Sequence, residues 1–337
     1  MRRRTLLTGA AATAAAAASL LPSGGFAQAK TQTVNLQLGW LASNNNIGEI
    51  VAKHMGYFEE EKLNVVIQPG GPSIDGVAIV ASGRHEIGQV SSSPSLMLAA
   101  SQKIPVKCFA TVLQQHPYTF FSLEKKPIRK PQDMIGKKIG IQATGKILLT
   151  ALLKKHNIPE KDVEVVVIGS DFTPLLTGQT DAVTGWLTST TAIKGLGQPP
   201  VTLRLWDAGV QLYALPLYAT RDTLEKKPAM LAGFLKGLAK GYEYTQNNPD
   251  KAVDMLVKEY PNFKRDDELA GIKVLLSFAF NGNTKANGWG AFDPKVWQDQ
   301  ITLYDELKQF TAGAPKLDDV ITTSILDATK DARAKIG

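Results

Sequence analysis

Cysteine is almost absent from this chain: Cys108 is the single one in 337 residues. That excludes an internal disulfide and any cysteine-built metal site. Val106 and Phe109 beside it read as a strand, so a buried, inert thiol is the default. Histidine is sparse too. His54, His85, His116 and His156 never fall at a His-x-x-x-His spacing, and no carboxylate group has metal-ligand spacing. His54, His85 and His156 lie in helical or turn segments and read as surface residues. Like charges nowhere run to five, which leaves nucleic-acid binding without support. No Gly-x-Ser-x-Gly elbow appears, and Gln142–Lys146 falls short of a full phosphate loop. Neither cofactor nor metal is expected. What remains is a recognition site without catalytic machinery, so the chain does not read as an enzyme.

The N-terminal 29 residues stand apart. Arg2-Arg3-Arg4 is a basic start, Leu6–Leu21 is Ala-rich and apolar, and Ala27-Gln28-Ala29 is a small-residue cleavage site. This is a secretory signal peptide. Arg3-Arg4-Thr5-Leu6-Leu7 resembles a twin-arginine signal, although Arg2 stands where Ser or Thr is usual and no Lys follows. Its removal lowers the formal charge from +7 to +4. No later stretch reaches about 18 consecutive apolar residues, so nothing is expected to span a membrane after cleavage. The expected product is an exported, periplasmic protein, long enough for two domains.

Beyond residue 30, strands and helices alternate, which predicts an α/β architecture. The alternating Val34-Asn35-Leu36-Gln37-Leu38 predicts a strand, and Ile47–Phe58 a helix. Between them lies a loop with Trp40 and three Asn. Trp brings a flat apolar face, and Asn brings donors and acceptors together. Trp40, Asn44 and Asn45 therefore read either as a grip on a planar polar molecule or as a core Trp beside helix caps. Three more strand-to-helix junctions carry polar residues: Ser91-Ser92-Ser93, Gln142 to Lys146 with Thr144 and Gly145, and Gly185-Trp186-Leu187-Thr188. Ligands of open α/β sheets bind at such strand ends, where helix N-termini expose free N–H groups. Capping alone also favours Ser before a helix. Gln115 and His116 end another strand, next to Pro117. From Asp222 onward the pattern is helical almost throughout, with one amphipathic helix over Pro228–Asn247.

Gly39-Trp40, Asn45, Gly48 and Ala52-Lys53-His54-Met55-Gly56-Tyr57-Phe58 resemble the opening of solute-binding proteins of ABC importers. The family is the NMT1/THI5-like group, classed with pyrimidine-precursor, taurine, alkanesulfonate and nitrate binders. Ala81–Gly88, Asp133–Gly140 and Gly178–Ala182 match further hallmarks, as does the long helix ending in Tyr-x-x-x-Asn-Pro. The resemblance implies a two-lobe α/β fold of the periplasmic-binding-protein type with two crossover strands and hinge closure on the ligand. It places 30–121 and 219–337 in lobe 1 and 122–218 in lobe 2, with all four junctions and Gln114–His116 on the cleft edges. Trp40, Asn45 and Gly48 are similar to the pyrimidine-precursor binders, which implies an aromatic or imidazole sandwich made by Trp40 and His116, with Trp186. Asn46 stands where a His is common, and Leu41-Ala42 where a Pro is expected. A sulfonate or other small anion on Ser91–Ser93 and Thr144–Lys146 is the alternative ligand. The partners implied are a permease and its ATPase, with the chain itself a monomer; a sensing role beside a membrane receptor is the further alternative. Eukaryotic-type pyrimidine synthases share the fold and consume their own His with pyridoxal phosphate. They carry a Cys-rich iron motif that Cys108 alone cannot supply.

Overall fold

The computed structural model describes residues 31–337. The expected signal peptide lies outside the described residues. Among the described residues, ten strands build two five-stranded sheets. The first contains β1 (Gln32–Gln37), β2 (Leu63–Gln68), β3 (Ile87–Gln89), β4 (Val106–Leu113) and, from far along the chain, β10 (Ala214–Thr220). Their order is β2-β1-β3-β10-β4. β1 runs parallel to β2 and β3, with Val34 opposite Val65, whereas β10 is antiparallel to β3 and β4. The second contains β5 (Tyr118–Ser122), β6 (Lys138–Ile141), β7 (Glu164–Val167), β8 (Ala182–Trp186) and β9 (Val201–Arg204), in the order β7-β6-β8-β5-β9. Here β6 is parallel to β7 and β8, and β5 is antiparallel to β8 and β9.

The chain therefore crosses between lobes at 114–117 and again at 205–213. These crossings differ from the expected boundaries at 121 and 219. Tyr118–Ser122 already pairs in the second sheet, and Ala214–Thr220 already pairs in the first. Both strands are buried along their whole length, so their residues carry no in/out alternation that would mark which sheet they join.

The predicted helix over Ile47–Phe58 is two pieces, Ile47–His54 and Tyr57–Glu60. Gly56 between them sits at φ +74°, the left-handed conformation that ends a helix and that glycine adopts without steric cost. The helical C-terminal third packs mainly on the first lobe, and its helix Arg265–Ala279 also meets Thr190–Lys194 of the second. The long helix Pro228–Asn247 buries Leu231, Phe234, Leu235, Leu238 and Tyr242, the face its spacing predicts. It presses on Ile47–His54 so closely that Gly48 has no room for a side chain: a Cβ there would meet the Tyr242 ring at 2.1 Å. Tyr242 stacks on Trp289, with centroids 4.4 Å apart, and its hydroxyl donates to the Asn45 carbonyl at 3.1 Å. Core packing thus reaches the loop that follows β1.

Cys108 is fully buried in β4, and burial pushes its thiol up to about 12. Such a thiol stays protonated and unreactive at neutral pH. No helix among the described residues is long and apolar enough to cross a membrane.

Candidate binding cleft

A cavity of about 1010 Å³ lies between the lobes. The first lobe lines it with the Trp40–Asn45 loop, with Pro72–Val77 and with Gln89–Ser92. The second contributes Tyr118, Gln142, Thr144, Gly145, Gly185, Trp186 and Thr188–Ala192. Strand ends and helix starts from both sheets converge here, as open α/β sheets dictate.

The three asparagines after β1 divide their work. Ser43 opens a single 3₁₀ turn over Asn44–Asn46: its Oγ accepts from the Asn45 N–H at 3.3 Å, and Asn46 Oδ1 accepts from the Ser43 N–H at 3.4 Å. Asn44 Nδ2 donates across the cleft to the Thr188 carbonyl at 3.2 Å. Asn45 lines the cavity, and its buried Oδ1 has no hydrogen-bond partner among the described residues. Thr188 Oγ1, from the opposite lobe, is likewise buried without a partner. Unpaired buried polar atoms cost on the order of 1–3 kcal/mol each, so both groups are held at a cost in stability beside the cavity.

Of the residues singled out in the sequence, the cavity brings together Trp40, Asn44, Asn45, Ser91, Ser92, Gln142, Thr144, Gly145 and Trp186. It does not include Ser93, Gln115, His116 or Lys146. Ser93 is fully buried and donates to Gln300 Oε1 at 2.6 Å, in the helix Pro294–Glu306. Nor does it cap the helix Pro94–Ser101, which has no side-chain cap. Gln115 Oε1 accepts from Arg204 at 3.0 Å within the crossover. Lys146 is exposed on the first turn of the helix Lys146–Lys155.

The expectation that His116 offers a stacking face needs correction. Its ring is completely enclosed, edge-on to Trp186 at 5.2 Å and to Tyr118 at 6.0 Å. Burial pulls its pKa down to about 3, so the ring is neutral. Gln142 lines the cavity, but its amide is consumed locally. Nε2 donates to the Thr184 and Gly169 carbonyls at 2.8 and 3.1 Å, and Oε1 accepts from Thr184 Oγ1 at 3.2 Å. It clamps β6 to β8.

Several lining residues escape a reading of the sequence. Gln89 and Tyr118 sit inside predicted strands, where alternation alone does not say which face meets a cleft. Asn262, Phe263, Lys264 and Glu268 come from the helical third, which carries no strand-end signal. Lys264 and Glu268 offset one another in formal charge, so the negative excess of the lining comes from Asp75 and Asp171. The charged lining residues are Asp75, Asp171, Glu268 and Lys264. Asp75 and Asp171 accept from the Ala78 and Thr173 N–H groups, each at 2.9 Å. Glu268 is half-buried, and desolvation holds its carboxyl above the usual range. His54, His85 and His156 are half-buried and lie outside the cavity lining. His54 meets Glu259 at 3.0 Å, His85 meets Gln37 at 3.1 Å, and His156 meets the Ala208 carbonyl at 2.8 Å. Among the described residues no group of three or more His, Cys, Asp or Glu is arranged to hold a metal.

Two sheets exchanging strands across paired crossovers, with a cavity between, define a two-lobe solute-binding-protein fold. The periplasmic aliphatic sulphonate binding protein SsuA of Escherichia coli has this fold; it matches at TM-score 0.64 and 16% identity over 86% of this chain and 92% of that one. The chain belongs to the NMT1/THI5-like family, whose model matches residues 43–252. It is similar to the formylaminopyrimidine-binding protein of Halalkalibacterium halodurans, with 26% identity over 81% of this chain and 85% of that protein. It is also similar to a 4-amino-5-hydroxymethyl-2-methylpyrimidine phosphate synthase of Legionella pneumophila, with 25% identity over 68% and 75%. Binders and named synthases thus share the scaffold.

Proposed function

We propose that this chain is the exported solute-binding component of an ABC importer, which encloses a small planar heterocycle of pyrimidine type and delivers it to a permease and ATPase. The observation that carries the ligand class is the charge of the cleft. Among the described residues three carboxylates and a single lysine line it, an unfavourable setting for a sulfonate or another anion. Trp40 and Trp186 supply flat apolar surface from opposite lobes, and Asn45 and Thr188 add polar side chains to the lining. The similarity to a formylaminopyrimidine-binding protein supports the same ligand class. Export rests on the sequence of residues 1–29.

Capture without turnover is supported by two features. Cys108 is buried in the core, away from the cavity. The buried contact between Ser92 and His116 has the wrong polarity for a nucleophile and its base. Ser92 Oγ lies 2.6 Å from His116 Nε2, but His116 Nδ1 already accepts from the Tyr118 N–H at 3.2 Å. The proton of a neutral ring therefore sits on Nε2, which cannot also take one from Ser92.

A thermal-shift screen across pyrimidines, aromatic acids and sulfonates tests the reading. A ligand present at a hundred times its Kd should stabilise the protein by about 2.7 kcal/mol. Stabilisation by taurine or alkanesulfonates alone would overturn the heterocycle assignment. Trp40→Ala should weaken the heterocycle by about 1–3 kcal/mol through lost stacking, read by calorimetry. An unchanged affinity with a lowered melting temperature would make Trp40 a packing residue instead.

A further inference from the structure

Two buried hydrogen-bond chains run to Ser92 and Gln89, both of which line the cavity at the end of β3. Each starts from a backbone N–H, a group that can only donate, so each has a determinate direction. The first starts at Tyr118, whose N–H donates to His116 Nδ1 at 3.2 Å. Nδ1 therefore holds a lone pair, and Nε2 of the neutral ring carries the proton, donating to Ser92 Oγ at 2.6 Å. Ser92 Oγ accepts from histidine, which leaves its own hydroxyl proton free. Ser92 lines the cavity and forms no other side-chain hydrogen bond among the described residues. The second chain starts at Ser43, whose N–H donates to Asn46 Oδ1. Asn46 thereby turns its Nδ2 to Gln89 Oε1 at 3.3 Å, and Gln89 turns its Nε2 to Glu49 Oε1 at 3.0 Å. One Nε2 hydrogen is used on Glu49, and the second remains on a side chain that lines the cavity. Glu49 Oε1 accepts whether or not the carboxyl is ionised, so the amide keeps its direction in both states.

We infer that the end of β3 is a donor wall: Ser92 Oγ–H and Gln89 Nε2–H both aim at the ligand, which must present hydrogen-bond acceptors there, while His116 and Glu49 act as positioning residues. For a heterocycle the acceptors are ring nitrogens or a ring carbonyl, and in this form the inference rests on the proposed ligand class. The polarity of the wall does not. Sulfonate oxygens are acceptors too, and the two ideas can therefore fail separately.

The polarity is tested without a ligand by long-range ¹H–¹⁵N NMR of the histidine-labelled full chain at neutral pH. The Nε2–H tautomer is expected for His116, and an Nδ1–H tautomer would overturn the inference. Binding is tested with 4-amino-5-hydroxymethyl-2-methylpyrimidine, with its benzene isostere in which both ring nitrogens are C–H, and with ethanesulfonate. The parent protein should prefer the pyrimidine to the isostere. Ser92→Ala should weaken the pyrimidine by about tenfold and leave the isostere unaffected. His116→Gln, which retains an N–H donor, should lose less than His116→Phe. A preference untouched by Ser92→Ala overturns the donor wall. If the parent binds ethanesulfonate and not the pyrimidine, the heterocycle reading fails; the wall then stands or falls on whether Ser92→Ala weakens the sulfonate.

Discussion

Replacing Glu49 by Gln is expected to tilt the pH profile of stability, raising the variant relative to the parent by about 3 kcal/mol between pH 4.5 and about pH 8. Glu49 is fully buried, and desolvation lifts its carboxyl from 4.5 to about 7. In that window the folded protein retains a proton that the unfolded chain has released. Its contribution to stability is therefore complete below pH 4.5 and is lost as the pH rises through about 7. His116 works in the opposite sense. Burial lowers its pKa from 6.5 to about 3, so the unfolded chain is the one that holds the extra proton. That contribution is complete above pH 6.5 and is lost as the pH falls towards about 3. Between pH 4.5 and 6.5 the two nearly cancel, and the parent should be almost flat with respect to this pair. Glu49→Gln removes one arm and exposes the other, a slope of about 1.4 kcal/mol per pH unit. Urea unfolding across the range measures it. Parallel curves for parent and variant would show that Glu49 does not titrate in this window.

The second large effect is expected from Gly48→Ala, a loss of about 3 kcal/mol of stability together with weaker ligand binding. Overpacking of a filled core costs about 1–3 kcal/mol, and this site belongs at the upper end. The added carbon falls 2.1 Å from a ring that cannot yield, because Tyr242 is stacked on Trp289 behind it. Moving Tyr242 also breaks its hydrogen bond to the Asn45 carbonyl and releases the turn that carries Asn44 and Asn45 into the cleft. Gly282→Ala, where an added carbon meets nothing within 4 Å, is the control and should be nearly neutral. Chemical denaturation and calorimetry report the two halves. Normal affinity in a destabilised Gly48→Ala would separate the packing from the site.

Much of this protein is legible without coordinates. The α/β alternation, the long helix Pro228–Asn247 and the strand Ala182–Trp186 follow from apolar periodicity, because burial of one face is a local property of the chain. The strand ends that meet at the cleft follow as well. A strand that runs into a polar loop and then a helix must leave donors and acceptors at its carboxyl end. Trp40, Asn45, Ser92 and Trp186 all emerge by that route.

Direction and depth do not. Ser91, Ser92 and Ser93 are equivalent on paper. In the fold Ser91 and Ser92 meet the cavity, and Ser93 turns inward to Gln300, 207 residues away. His116 looks like a surface for a ring, yet packing encloses it edge-on to Trp186 and in hydrogen-bond contact with Ser92. The exchange of β5 and β10 between lobes, and the charge brought in by Asp171, Lys264 and Glu268, likewise depend on contacts between distant segments. Sequence by itself determined the elements and the family, because periodicity and motifs are local. Only the tertiary structure decided which polar side chains line the cavity and which serve the core. That choice is made by hydrogen-bond partners and rings brought together from both lobes.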